Sequence, residues 1–325
     1  MKLVQKVFIV ATMVLSPLSI CMGAANTSNE TAPDAPASTK ACYQANQQGS
    51  MSFDWPRSGK VAVTEQISKK GMVVDMAYDL VIEPAKNHNL RLSYENFELL
   101  TFNGEDAKDP KHANAVQAIK TMSQMVPELI VSATGEFVDI DISEQVIDKI
   151  MKQMPKQQGK NAPSLSQIRQ MLTSPQMQAV QKTKIEQTWN ALVGSWVGFP
   201  NHPGKKYQCV EQKQAFGGNV TFDISYQQLP SPANKQYSGM TQINFVSSAQ
   251  PKQAVEAMLK AFASVPKEQQ PKFESVKQQS NVSIVTDPKT LRPVSVTTEV
   301  ISAVQVVGKP ANEKVETHRY RFNWK

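Results

Sequence analysis

A chain of 325 residues, 40% of them hydrophobic and only 19% charged, carries enough apolar side chain for a core of domain size. Its formal charge of +7 falls to about +5 once Lys2 and Lys6 are set aside. The lysines are scattered, which argues against the clustered basic stripe of a nucleic-acid binder, and three cysteines and four dispersed histidines give no zinc-binding spacing.

The first residues read as an export signal, residues 1–25: Lys2 and Lys6, an apolar run from Val7 to Leu15, Pro17, then the small residues Gly23-Ala24-Ala25. That run is shorter than the roughly 20 apolar residues a bilayer requires, and no later stretch is apolar enough, so an integral membrane protein is not expected. Leu18-Ser19-Ile20-Cys21 leaves a lipid anchor on Cys21 as the alternative, although Ile20 stands where a small residue belongs. A periplasmic or secreted location follows. Residues 26–50, rich in Asn, Ser, Thr, Ala, Pro and Gln, read as a disordered tether. Beyond the leader two cysteines remain, and in an oxidising compartment a Cys42–Cys209 disulfide is expected.

Alternating strands begin at 61–66 and 72–78, where Met72, Val74, Met76 and Tyr78 share one face. A third strand is expected at 90–99, a helix from Asn114 to Met125, and a hairpin at 129–142 around Thr134-Gly135. Residues 143–200 change character and predict helices, the longest from Pro175 to about Val197. It carries Ile185, Trp189, Leu192, Val193 and Trp196 on one stripe. Strands follow at 207–212, 220–226 and 237–246, then a helix from Pro251 to Val265. Two more strands are joined by Asp287-Pro288-Lys289-Thr290, and a last strand at 315–324 puts Tyr320, Phe322 and Trp324 on one face.

Parts of this order repeat. Glu65-Gln66 and Asp75-x-x-Tyr78 match Glu211-Gln212 and Asp223-x-x-Tyr226, and both expected helices end in Val-Pro. The fold expected from this is α+β: two similar antiparallel-sheet modules, 51–142 and 201–325, each strand-strand-strand-helix-hairpin, joined by the helical segment 143–200.

Catalytic chemistry is thinly represented. The four histidines, His88, His112, His202 and His318, read as surface residues, and Gly194-Ser195-Trp196-Val197-Gly198 lacks the preceding strand of a nucleophile elbow. Asp139 and Asp141 share a strand face that water explains, and no phosphate-binding glycine loop is present. Glu65 and Glu211 either line equivalent pockets or face water. No catalytic, metal or cofactor site is therefore expected, and the chain reads as a non-enzyme, with a hydrolase of dispersed site as a remote alternative. The favoured reading is an exported protein that binds a lipid or other amphiphile on a curved sheet, with Trp189, Trp196, Tyr78 and Tyr226 as lining residues. The alternative is an interaction module for an envelope protein.

Overall fold

Period-two alternation runs through much of the sheet in the computed structural model, which describes residues 50–324 apart from 118–125, 142–146, 149–150, 152–165, 167–168, 171–172, 231–236 and 264. The expected signal, most of the tether, Cys42 and much of the expected helices at 114–125 and 143–172 lie outside the described residues. No described helix is long and apolar enough to cross a membrane.

Among the described residues twelve strands form: β1 (Gly59–Lys69), β2 (Met72–Pro84), β3 (Leu90–Phe102), β4 (Glu105–Asp106), β5 (Glu128–Val131), β6 (Phe137–Asp141), β7 (Lys206–Ala215), β8 (Gly218–Leu229), β9 (Thr241–Ala249), β10 (Phe273–Thr286), β11 (Pro293–Val306) and β12 (Asn312–Trp324). Helices bounded entirely by described residues include α1 (Pro175–Leu192) and α2 (Pro251–Ala261).

The two-module α+β layout does not form. All twelve strands belong to one antiparallel sheet, in the order β6-β5-β3-β2-β1-β12-β11-β10-β9-β8-β7, with the short β4 beside β3. The join is the β1–β12 pair, in register from Val61↔Trp324 to Lys69↔Glu316. Two separate sheets would each have left one of these long strands with an unpaired edge. Pairing them satisfies both sets of backbone groups. Nor does α1 link two modules: its side chains lie over the face of this single sheet that carries Tyr78, Leu80 and Tyr320.

The similar strand pairs occupy different places, β1–β2 in the middle of the sheet and β7–β8 at one end. Both close through two residues of positive φ, Lys70-Gly71 (50° and 76°) and Phe216-Gly217 (56° and 88°). That is the left-handed pair of a type I′ turn, whose twist suits adjoining strands.

The sheet must curl. Laid flat, eleven strands at roughly 4.8 Å spacing would hold the two outer strands about 48 Å apart. Yet one short segment touches both sides. Met51 N–H donates to the Phe199 carbonyl (2.8 Å), and the Phe199 ring stands 5.5 Å from Tyr207 of β7. Two residues on, Phe53 packs so closely on the β5–β6 turn that a Cβ at Gly135 would lie 2.5 Å from its ring. The concave face is the core, because Met51 and Trp55 of that same segment are buried against it.

Helix α1 ends earlier than the sequence suggests. Val193 leaves helical geometry (φ −139°, ψ −54°) and a 3-10 turn, Gly194–Trp196, follows. Trp196 is thereby carried off the α1 stripe to pack between Phe199 and Tyr226, each 5.7 Å away between ring centroids. On α2, Ala254 and Ala257 are buried, and a Cβ at Gly218 of β8 would stand 3.2 Å from the Ala257 methyl. Small residues on both sides let helix and sheet approach.

Candidate functional site: an apolar cavity with one polar wall

Between the concave face and α1 lies a cavity of about 110 Å³. Alternation places its walls: Leu80 of β2, Leu92 of β3 and Phe322 of β12 point inward from the sheet. Ile185, Trp189 and Leu192 point down from α1 at helical spacing. Trp55 completes the apolar side. Its ring meets Trp189 at 5.4 Å and Trp324 at 4.8 Å, both edge to face, and its Nε1 donates to the Leu291 carbonyl (3.1 Å). Trp189 is fixed likewise, donating from Nε1 to the Gly135 carbonyl at 2.9 Å. Each indole has its one donor satisfied away from the cavity, so what it offers inward is apolar surface.

The remaining wall is polar. Glu65 of β1, Tyr78 of β2, Tyr94 of β3 and Tyr320 of β12 line it. Glu65 is only 8% exposed. Its Oε1 lies 2.9 Å from His318 Nδ1, and its Oε2 accepts from the Tyr78 hydroxyl at 3.3 Å. Behind it, away from the cavity, His318 Nε2 faces Glu316 Oε1 at 3.1 Å, and Glu316 in turn pairs with Lys69.

Charge follows from this geometry. Both imidazole nitrogens face carboxylate oxygens, which accept but do not donate, so the ring carries both protons. Burial alone would pull the imidazolium pKa down, but hydrogen bonds to Glu316 and Glu65 outweigh it and push His318 up to about 9. Glu316 shows the complementary result. Burial opposes its charge, yet His318 and Lys69 hold its pKa below the usual carboxylate value. Burial, and then the nearby Glu65, raises Tyr94 to about 12 and Tyr78 and Tyr320 well above the ordinary phenol value. The three phenols are therefore neutral near pH 7.

Of the four aromatic residues singled out in the sequence, the structure brings two together at the cavity, Tyr78 and Trp189. Trp196 and Tyr226 are buried elsewhere, in a cluster with Phe199 and Phe245. Of the polar wall, the sequence singles out Tyr78 and offers Glu65 as a pocket residue in one of two readings; Tyr94, Tyr320 and the His318 behind them escape it, although strand parity marks them. Glu65 has the parity of the buried Val61, Val63 and Ile67, and His318 that of the buried Tyr320. Reading all four histidines as surface residues is corrected for two of them. His318 is 1% exposed, and His112 is buried beside Phe102, with its Nε2 2.9 Å from Glu105. Glu211 is ion-paired with Lys213 on β7, outside the cavity lining.

The other candidates have structural partners. Asp139 pairs with Lys182 of α1 at 3.0 Å, and Asp141 lies 3.7 Å from Arg91. Ser195 is buried in the 3-10 turn after a helix, not on a strand-to-helix elbow. Cys209 stands on β7, half-buried against the core. Among the described residues no group of three or more His, Cys, Asp or Glu side chains is arranged to hold a metal ion.

No protein-family model matches the chain, and neither does any curated protein. Among solved structures, one described as lipid–protein interactions in lipovitellin aligns over 82% of this chain with a TM-score of 0.41 and 9% identity. This chain spans 24% of that one's length. At so low a similarity neither kinship nor a shared ligand follows, and the site must be read from its own geometry.

Proposed function

We propose that this is an exported binding protein that holds the apolar part of a small amphiphile between its curled sheet and α1. The observation that carries the reading is the cavity itself: space walled by Trp55, Leu80, Leu92, Trp189 and Phe322, with a buried carboxylate at one side. Among the described residues nothing at this site combines a nucleophile with a free histidine base, since His318 is held between two carboxylates. A non-catalytic role fits that arrangement.

Size limits the ligand. Drug-sized molecules occupy pockets of roughly 300–1,000 Å³, whereas an apolar cavity of about 150 Å³ takes benzene. At about 110 Å³ the cavity suits a short tail or the end of a longer one. A full acyl chain requires α1 to move outward. The test is mass spectrometry of the organic extract of protein purified from its native host. A co-purifying amphiphile, stoichiometric with protein and displaced by a tail-matched competitor, supports the reading; a consistently empty extract together with no uptake of any apolar probe sinks it.

A second reading, docking of an envelope protein, draws on the sheet's open edge. Among the described residues β7 has a strand neighbour on one side only, and its Val210 is 66% exposed. An added strand would pair with that edge. Mutating Val210 to Lys would then abolish partner capture while leaving ligand uptake intact.

Export itself and the Cys42–Cys209 disulfide belong to the same proposal. N-terminal sequencing of the mature protein tests the first. Thiol alkylation without reductant tests the second, since two reactive thiols in intact protein exclude the bond.

A further inference from the structure

The polar wall carries information about which amphiphile fits. Four ionisable side chains are found in the lining: Glu65, Tyr78, Tyr94 and Tyr320. The two cations that balance the local carboxylates, His318 and Lys69, are absent from it. They stand behind Glu65, His318 on Nδ1 and Lys69 by way of Glu316. A molecule in the cavity therefore meets a carboxylate first, with the compensating positive charge out of hydrogen-bonding reach.

Acceptors outnumber available donors on this wall. The Nδ1 proton of His318 points to Glu65 Oε1, and its Nε2 proton to Glu316. The Tyr78 hydroxyl donates to Glu65 Oε2. The Tyr320 hydroxyl lies 3.3 Å from His318 Nδ1 and, like Tyr78, beside the Glu65 charge. A carboxylate offers about four lone-pair directions and a phenol oxygen two, so acceptor capacity remains once these protons and that of the Tyr94 hydroxyl, which also lines the cavity, are placed. Of the two Glu65 oxygens, Oε2 has the longer contact, 3.3 Å from Tyr78 against 2.9 Å between Oε1 and His318, and is the atom to which an incoming donor adds most readily.

We propose that the cavity selects its ligand by head group, accepting an amphiphile whose head donates hydrogen bonds and bears no negative charge, such as an alcohol, amide or amine, and rejecting a carboxylate head. This rests on the amphiphile reading above and adds to it the chemistry of the head. A carboxylate entering tail-first toward Trp189 and Leu80 would bring its oxygens against the Glu65 oxygens, acceptor to acceptor and charge to like charge. A hydroxyl or ammonium in the same place completes the unsatisfied lone pairs.

The experiment uses the full chain and four probes with the same five-carbon tail, pentanol, pentylamine, pentanoate and pentane, at pH 7. Binding is read by NMR from the indole N–H signal of Trp189, assigned with Trp189→Phe. Pentanol and pentylamine are expected to bind at least ten times more tightly than pentanoate. Equal or tighter binding of pentanoate overturns the head-group inference and leaves the amphiphile reading standing. Equal binding of pentane and pentanol overturns it as well, since the head would then contribute nothing. Failure of all four probes overturns the amphiphile reading at this cavity, and the inference falls with it. In Glu65→Gln the deficit of pentanoate should shrink to less than threefold. Should that variant fail to fold, the four-probe series on the unaltered protein still decides.

Discussion

Glu65 and His318 stand 253 positions apart in the chain, yet Oε1 of one lies 2.9 Å from Nδ1 of the other. The contact crosses the pairing of β1 with β12, the two strands that join the two runs of the sheet. Through Glu65 this buried ion pair backs the polar wall of the cavity, and it also reports the join.

Stability should depend on pH through His318. Its pKa is about 9 in the folded protein against 6.5 for the free side chain. A raised folded pKa contributes fully below about pH 6.5 and is lost as pH rises through about 9. At 1.36 kcal/mol per unit, the loss across that window is on the order of 3 kcal/mol. Groups packed around the ring are Glu65, Glu316 and Tyr320, with Lys69 one pair further away. Urea titrations at pH 6 and pH 10 measure the change. The difference between wild type and His318→Leu should be largest at pH 6 and small at pH 10.

Removing both partners should hurt less than the two single losses added together. His318→Leu leaves the buried Glu65 carboxylate without its cation, a change that costs about 3–5 kcal/mol, and Glu65→Leu should cost less because Glu316 still faces His318 Nε2. The double variant replaces the pair by apolar side chains and should be more stable than the sum of the two losses implies, by about 1–3 kcal/mol. Chemical denaturation of the three variants at pH 7 gives the coupling. Strict additivity would mean the pair contributes no more than two independent side chains.

Gly135 and Gly71 make a matched comparison. Both have positive φ, 84° and 76°, but a Cβ at Gly135 collides with Phe53 whereas nothing lies within 4 Å of one at Gly71. Gly71→Ala should lose about 1–2 kcal/mol from backbone strain alone. Gly135→Ala should lose a further 1–3 kcal/mol or so from overpacking, and should loosen the segment that bridges the sheet's two sides. Equal losses in urea denaturation would show that Phe53 yields freely.

Trp189 and Trp196 should separate ligand binding from stability. Both are buried and both donate from Nε1, to Gly135 and Ala191 respectively. Replacement of either by Phe removes a buried hydrogen bond and some packing, at about 1–3 kcal/mol. Only Trp189 lines the cavity. Uptake of an apolar fluorescent probe should therefore change in Trp189→Phe, with larger probes admitted, and stay unaltered in Trp196→Phe.

What the sequence made legible was local. Alternation located most strands, and Asp287-Pro288-Lys289-Thr290 does turn the chain between β10 and β11, with the Leu291 N–H donating to the Asp287 carbonyl at 2.8 Å. Strand parity also put Tyr78 on the core face and Asp75 on the other, where Asp75 takes hydrogen bonds from Gln66 and Thr101. Partner choice was not legible. Nothing in the alternation of 61–67 says that its neighbour is 318–324 rather than a strand of its own half, because apolar parity is satisfied equally by either. The rest of the polar wall, beyond Tyr78 and Glu65, was hidden for a related reason. A lone Glu or His within an apolar alternation looks like an interruption until the strand carrying its counter-charge is known.

The pairing of β1 with β12 also sets an order of assembly. The strand made first in this sheet cannot gain its second neighbour until the strand made last has been delivered. Until then β1 offers a bare hydrogen-bonding edge next to an apolar face, the combination that invites pairing with the wrong chain. Contacts spanning so much of the sequence also make for slow folding. A nascent chain of this protein therefore passes through a long interval in which its opening strand has one side unpaired.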